Sequence, residues 1–294
     1  MLSRSEVPRK RRAGRLAAIL VAGIVLLAML FARGIAGLYT DYLWFDSLGF
    51  TSVWSGVLLA KVGLFLAVGA GFFTLCWGNL VLAQRLAPPF RPPGPEGSTL
   101  AEVQRVLDRR PGLTRAGLAL FLAFSFGAGA ARYWNEWILF RNRASFGVES
   151  PLFGTDVGFY VFQLPFLTFL TNALFSALVV TLIVTALAHY LSGGIRFQGP
   201  GPRVTRGVKA HLSVLLGAIA LVKAANYYLD RFELAFSTRG AVQGATYTDV
   251  NAQLPALNLL VVISIVAALL FLVNIRQQGW ALPITAVVLW GLVA

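Results

Sequence analysis

The 294-residue chain is 57% hydrophobic and 13% charged, with a mean hydropathy of +0.72 and a formal net charge of +13. A soluble domain has roughly 45–50% apolar and about 25% charged residues, so a water-soluble protein of this composition would be unable to cover its own surface. The single cysteine, Cys76, excludes an intrachain disulfide, and two histidines without a Cys/His cluster exclude a zinc site of the usual ligand spacing.

Apolar runs of about 20 residues are therefore the natural unit. Residues 1–15 form a basic N-terminal segment that includes Arg9, Lys10, Arg11 and Arg12. The first run, near 16–38, is interrupted only by Arg33. Its flank also fits a signal peptide, but its length and the spans that follow read as an uncleaved first span. Further runs lie near 53–83, 116–140, 162–191, 210–229, 254–275 and 280–294, so residues 16–294 are predicted to form one helical transmembrane domain. The predicted fold is all-α: a polytopic helical membrane protein of about seven transmembrane helices. The last run is still apolar at Ala294 and lacks a polar flank, which predicts a longer parent protein.

Loop charge sets the orientation. The N-terminal segment carries Arg4, Arg9, Lys10, Arg11, Arg12 and Arg15, and alternate loops carry Arg85, Arg91, Arg105, Arg109, Arg110, Arg115, Arg196, Arg203, Arg206, Lys209 and Arg276. The other loops carry only Arg141, Arg143, Arg231 and Arg239, alongside Asp41, Asp46, Glu149, Asp156, Asp230, Glu233 and Asp249. The positive-inside bias predicts a cytoplasmic N-terminus and accounts for the high isoelectric point without a nucleic-acid partner. Trp44, Phe45, Phe50, Trp54, Trp134, Trp137, Tyr227 and Tyr228 cluster near the outer span ends, where aromatic rings favour the headgroup level.

The loop at 84–115 holds Pro88, Pro89, Pro92, Pro93 and Pro95, which make a semi-rigid spacer. Thr99-Leu100-Ala101-Glu102 then reads as a capping box, and Leu100, Val103 and Leu107 share the face of a short surface helix stopped by Pro111.

Four ionisable residues fall inside spans: Lys61, Arg132, Glu136 and Lys223. Each sits in the outer half, Lys61 ~12 Å from its outer helix start and Lys223 ~20 Å from its inner start. Arg132 and Glu136, four apart, share a helix face and are predicted to pair. Two readings stand. One is a polar pocket open to the outside, three cations against one anion, suited to an anionic solute or headgroup. The other, commoner for lysines near helix ends, is snorkelling plus a structural ion pair. Glu136 is predicted to face the bundle within reach of a cation. His189 and His211, near inner span ends, read as interfacial residues facing headgroups.

Small residues at Gly63, Ala67 and Gly71 and at Ala123, Gly127 and Ala131 predict that the second and third spans are close antiparallel neighbours, touching near Ala67 and Gly127. Thr155-Asp156-Val157 before Gln163-Leu164-Pro165 is echoed by Thr248-Asp249-Val250 before Gln253-Leu254-Pro255. Both precede inward-running helices, and both duplication of a two-helix unit and chance explain the echo. No Gly-x-Ser-x-Gly, Walker or His-Glu-x-x-His pattern occurs, so no catalytic, cofactor-binding or metal-binding residue is assigned and no enzyme is expected.

Four outer segments are distinctive: residues 41–50 (DYLWFDSLGF), 151–160 (PLFGTDVGFY), 228–234 (YLDRFEL) and 246–251 (TYTDVN). Together they resemble the N-terminal membrane region of the UPF0182 family of large bacterial membrane proteins. The resemblance implies a multi-pass protein of the bacterial plasma membrane, followed in longer members by a hydrophilic region, and it implies no activity. The function expected is a membrane anchor or scaffold for an extracytoplasmic region or partner. The alternative is a transporter or channel-like component that handles an anionic solute or lipid headgroup through the outer pocket. The partners expected are the lipid bilayer and an extracytoplasmic domain or protein; oligomeric state is not legible.

Overall fold

The computed structural model describes residues 9–88, 110–196, 204–240 and 243–291. Most of the proline-rich spacer and the expected surface helix after it lie outside them. The secondary structure within them is helical, apart from two isolated bridges, Glu149 with Asp156 and Ile195 with Val204. Among the described residues, five helical segments are long and apolar enough to cross a membrane: Thr51–Arg85, Pro111–Arg141, Phe159–Leu191, Arg206–Phe236 and Asp249–Gln277. The first predicted span lies within a longer helix, α1 (Arg9–Ser47). The seventh appears as the 11-residue apolar helix α8 (Ala281–Gly291).

The chain divides into two compact units, residues 1–59 and 60–294. In the first, α1 ends in a glycine cap before α2 (Thr51–Arg85) begins. Gly49 takes a left-handed φ of 74°, its N–H donates to the Asp46 carbonyl, and the Phe50 N–H donates to the Phe45 carbonyl. These two bonds satisfy carbonyls that a helix end leaves unpaired. Tyr42 and Trp54 pack edge-on across the turn, with ring centroids 5.2 Å apart.

In the second unit, α2 continues to Arg85 and packs against α3 (Pro111–Ala130). Pairings run in opposite order along the two helices: Phe65 with Gly127, Gly69 with Ala123, and Gln84 with Arg115. They are antiparallel, as the small-residue spacing predicts, but the seam differs. Gly63, Ala67 and Gly71 are exposed, and Gly69 makes the close approach instead. The stripe that packs carries Leu64, Gly69, Phe72, Cys76, Leu80 and Ala83, all buried, so Cys76 is a core residue as expected. Phe72, Cys76 and Leu80 share a cluster with Ala119, Ala123 and Ala177.

After α3 the helix tightens into a 3-10 turn, Ala131–Tyr133, and resumes as α4 (Trp134–Arg141). The chain returns through α5 (Leu164–Leu191) and then through α6 (Arg206–Glu233) and α7 (Leu254–Gln277). Helix α6 packs most extensively on α7 and next on α5, and α7 packs on α8.

Both α5 and α7 open with a five-residue π-helical turn, Phe159–Gln163 and Asp249–Gln253. In each, the N–H before the proline reaches back five residues, Leu164 to the Phe159 carbonyl and Leu254 to the Asp249 carbonyl. Pro165 and Pro255 have no N–H, and their rings would collide with the carbonyl four residues back; the wider turn moves that carbonyl aside. The two Gln-Leu-Pro echoes in the sequence are therefore one local device used twice.

An aspartate secures each turn. Asp156 accepts bonds from the Ser145 hydroxyl (2.6 Å) and from the N–H groups of Phe146, Gly147 and Gly158. The Ser145 bond and then the backbone donors hold its carboxyl below the usual carboxylate range. Asp249, with a side chain only 2% exposed, accepts from the Thr246 N–H and hydroxyl and lies 3.6 Å from Arg239.

A Cβ placed on Gly127 would stand 2.6 Å from the Phe65 carbonyl oxygen, whereas one on Gly117 meets nothing within 4 Å. Overpacking of this kind costs about 1–3 kcal/mol. Gly127→Ala is expected to lower the melting temperature of the purified protein, and Gly117→Ala to leave it unchanged; equal melting temperatures would remove this seam from the α2–α3 contact.

Candidate functional site

The four ionisable residues predicted as one pocket do not assemble into one. Arg132 and Glu136 line an open cleft of about 900 Å³ between the α3–α4 segment and α5. Lys223 instead lines a separate, largely apolar cavity of about 270 Å³ with Phe175, Ser264 and Trp290. Its ammonium lies 4.4 Å from the Tyr227 ring centroid and 5.5 Å from that of Phe175. Lys61 lines neither, and its ammonium sits 5.4 Å from the Trp134 ring centroid. Both lysines thus lie over aromatic faces, an attraction worth about 0.5–2 kcal/mol.

Glu136 does turn into the bundle, and its Oε2 is buried. The predicted pairing with Arg132 is absent, and among the described residues Glu136 Oε2 has no hydrogen-bond or ion-pair partner. The 3-10 turn at 131–133 explains this. A tighter turn changes the angular offset that would bring positions four apart together on a regular α-helix.

The cleft gains a residue that span-by-span reading missed. Glu233, at the C-terminal end of α6, lines it, and its Oε1 accepts a 3.1 Å bond from the Thr168 hydroxyl. The opposite wall is the stripe Thr168, Asn172 and Ser176 on α5, at four-residue spacing. Asn172 Oδ1 accepts a 3.0 Å bond from Asn226 Nδ2, which ties α5 to α6. Aromatic residues complete the surface. Tyr133 stacks on Phe169 at 4.1 Å, and Tyr160, 5% exposed, packs against Phe236 at 5.7 Å. The Tyr160 hydroxyl has no partner among the described residues.

At the other end of the bundle the structure corrects the reading of the histidines. His189 is 0% and His211 5% exposed, so neither faces headgroups. They meet each other: His189 Nε2 lies 3.1 Å from His211 Nδ1, and His211 Nε2 lies 2.9 Å from Asn79 Oδ1. The chain Asn79–His211–His189 links α2, α6 and α5. A short-range signal for it exists in the sequence, since Thr181, Thr185 and His189 form a polar stripe at four-residue spacing inside an apolar run, and all three are fully buried. Nearby, Asn274 Nδ2 donates to the Ser213 hydroxyl at 2.9 Å, and Asn274 Oδ1 accepts from the Gly279 N–H. Among the described residues no group of three or more His, Cys, Asp or Glu stands ready for a metal.

These features define an all-helical protein with apolar helices compatible with membrane association, polar pairs between its helices and an amphipathic cleft at one end. The chain belongs to the UPF0182 family, described as an uncharacterised protein family, whose model matches residues 17–294. It is 41% identical over 275 residues to a UPF0182 protein of Salinispora tropica, covering 93% of this chain and 28% of that protein. It is 42% identical over 261 residues to one of Frankia casuarinae, 89% of this chain and 26% of the relative, and 36% identical over 293 residues to one of Streptomyces coelicolor, 96% and 28%. The chain thus spans less than a third of the length of these relatives. No solved structure matches.

His211→Ala would orphan His189 Nε2 and Asn79 Oδ1 together. A buried polar group without its partner costs about 1–3 kcal/mol. A clear fall in the melting temperature of the detergent-solubilised protein is expected; an unchanged value would mean that the three residues are not coupled.

Proposed function

We propose that this region is a non-catalytic membrane anchor of the bacterial plasma membrane, seven-spanning with its N-terminus inside, whose outer face holds an extracytoplasmic polypeptide. The observation that carries the reading is the character of the outer connections. They are pinned by the Asp156 and Asp249 carboxylates, yet they present Phe146, Val148 and Tyr247 to solvent, Tyr247 at 84% exposure. Apolar surface held on rigid turns suits docking. The complete burial of Thr181, Thr185 and His189 supports the same reading, because it leaves the inner half of α5 packed shut along that face.

A second reading, a transporter or channel-like component, draws support from the cleft itself. For an anionic solute or anionic headgroup its lining is unfavourable, since one guanidinium faces two carboxylates.

Two arms test the anchor. A reporter fused after Arg206 is expected to behave as cytoplasmic and one after Arg239 as external. A photo-cross-linker replacing Tyr247 is expected to give a polypeptide adduct that external protease digests in spheroplasts, while one replacing Lys209 gives none. Reversed reporters would overturn the orientation, and the absence of an adduct at Tyr247 would overturn the anchor.

A further inference from the structure

We infer that the outer cleft is a binding site for a primary ammonium group, carried by an aminophospholipid headgroup or by a free amine. This deepens the reading of the cleft as a ligand site and is independent of the anchor. The cleft brings two carboxylates, Glu136 and Glu233, together with Arg132, so its formal charge is negative. Lys61 and Lys223, which would have made it positive, lie over aromatic rings and do not line it.

Unsatisfied groups specify the ligand further. Glu136 Oε2 and the Tyr160 hydroxyl, on a residue 95% buried by its 5% exposure, both belong to cleft-lining residues and both lack partners among the described residues. A buried acceptor without a donor is costly, and a carboxylate oxygen is satisfied best by a charged N–H donor. A quaternary amine has no N–H to give, whereas a primary ammonium offers three donors from one compact charge, the largest number among protonated alkylamines for the acceptors gathered here. The stacked Tyr133 and Phe169 rings add a surface that attracts cations. A bare metal ion fits poorly. About 900 Å³ is the volume of a small-molecule pocket, and no three-ligand group of His, Cys, Asp or Glu is present among the described residues. Arg132, in the same cleft, is placed for the phosphate that accompanies an ethanolamine headgroup.

The test measures the melting temperature of the full chain in a non-ionic detergent with five additives: phosphatidylethanolamine, ethanolamine, phosphatidylcholine, phosphatidylglycerol and inorganic phosphate. A ligand that binds only the folded state raises that temperature by mass action. A rise of several degrees with phosphatidylethanolamine alone assigns the headgroup as the source, and a rise with ethanolamine as well assigns a free amine. Either supports the site, provided the rise falls by at least half in Glu136→Gln and in Tyr160→Phe. Tyr160→Phe removes only an unpartnered hydroxyl, so it reports on binding even if Glu136→Gln fails to fold. No rise with either amine, an equal rise with phosphatidylcholine, a rise confined to phosphatidylglycerol or phosphate, or a rise unchanged in both variants would overturn the proposal. The anchor stands or falls separately on its reporters and adducts.

Discussion

An apolar layer without water leaves every buried polar group to find its partner inside the protein. That constraint explains features of this chain that otherwise look unrelated. The spans are helical because a helix satisfies its own backbone. Two of them begin with a proline that removes a donor, and in both the turn widens so that the preceding N–H still reaches a carbonyl. Several polar side chains also pair across helices. Asn172 meets Asn226, Ser213 meets Asn274, and His189 meets His211, which meets Asn79. Helix α6 contributes to all three sets, and it packs on both α5 and α7.

Close packing accompanies these polar ties. Gly127 admits the Phe65 carbonyl, and Gly69 admits that of Ala123, so α2 and α3 approach backbone to backbone. Between helices in lipid, such contacts and interhelical hydrogen bonds replace the hydrophobic drive that water supplies elsewhere. Satisfaction is incomplete: the Thr181 and Thr185 hydroxyls, His189 Nδ1, Asn226 Oδ1 and the Ser264 hydroxyl are buried without a partner among the described residues, and the cleft lined by Arg132 and Glu136 adds two more such atoms. Glu136 Oε2 and the Tyr160 hydroxyl are buried there without partners among the described residues, and the ligand proposed for the cleft is the donor that Glu136 lacks.

Five of the seven predicted spans reappear among the described residues as helices long and apolar enough to cross a membrane, because the length of an apolar run is a one-dimensional property. The sequence carried less of what depends on which helix face meets which neighbour. Gly127 and Ala123 were legible as packing positions, but α2 offers two stripes of small residues, and only contact with α3 selects Gly69 over Ala67. The His189–His211 pair joins residues 22 apart on different helices, so no local spacing predicts it, although the Thr181–Thr185–His189 stripe hinted at a polar face. The pocket was half legible. Arg132 and Glu136 do share a cleft, but the 3-10 turn between α3 and α4 breaks their pairing. Glu233 was overlooked because a residue at a span end reads as a loop charge, and the two lysines were misassigned because aromatic partners are invisible to a count of charges.

The central claim is that polar groups at the His189–His211 end are sealed within the bundle while those at the Glu136–Glu233 end line an open cleft. Thiol accessibility in intact membranes tests it most directly, because the one native cysteine, Cys76, is fully buried and gives an unreactive background. Thr168→Cys should react with a membrane-impermeant maleimide applied from the extracytoplasmic face, and Thr185→Cys should resist it from either face. Labelling of Thr185→Cys, or protection of Thr168→Cys, would contradict the account.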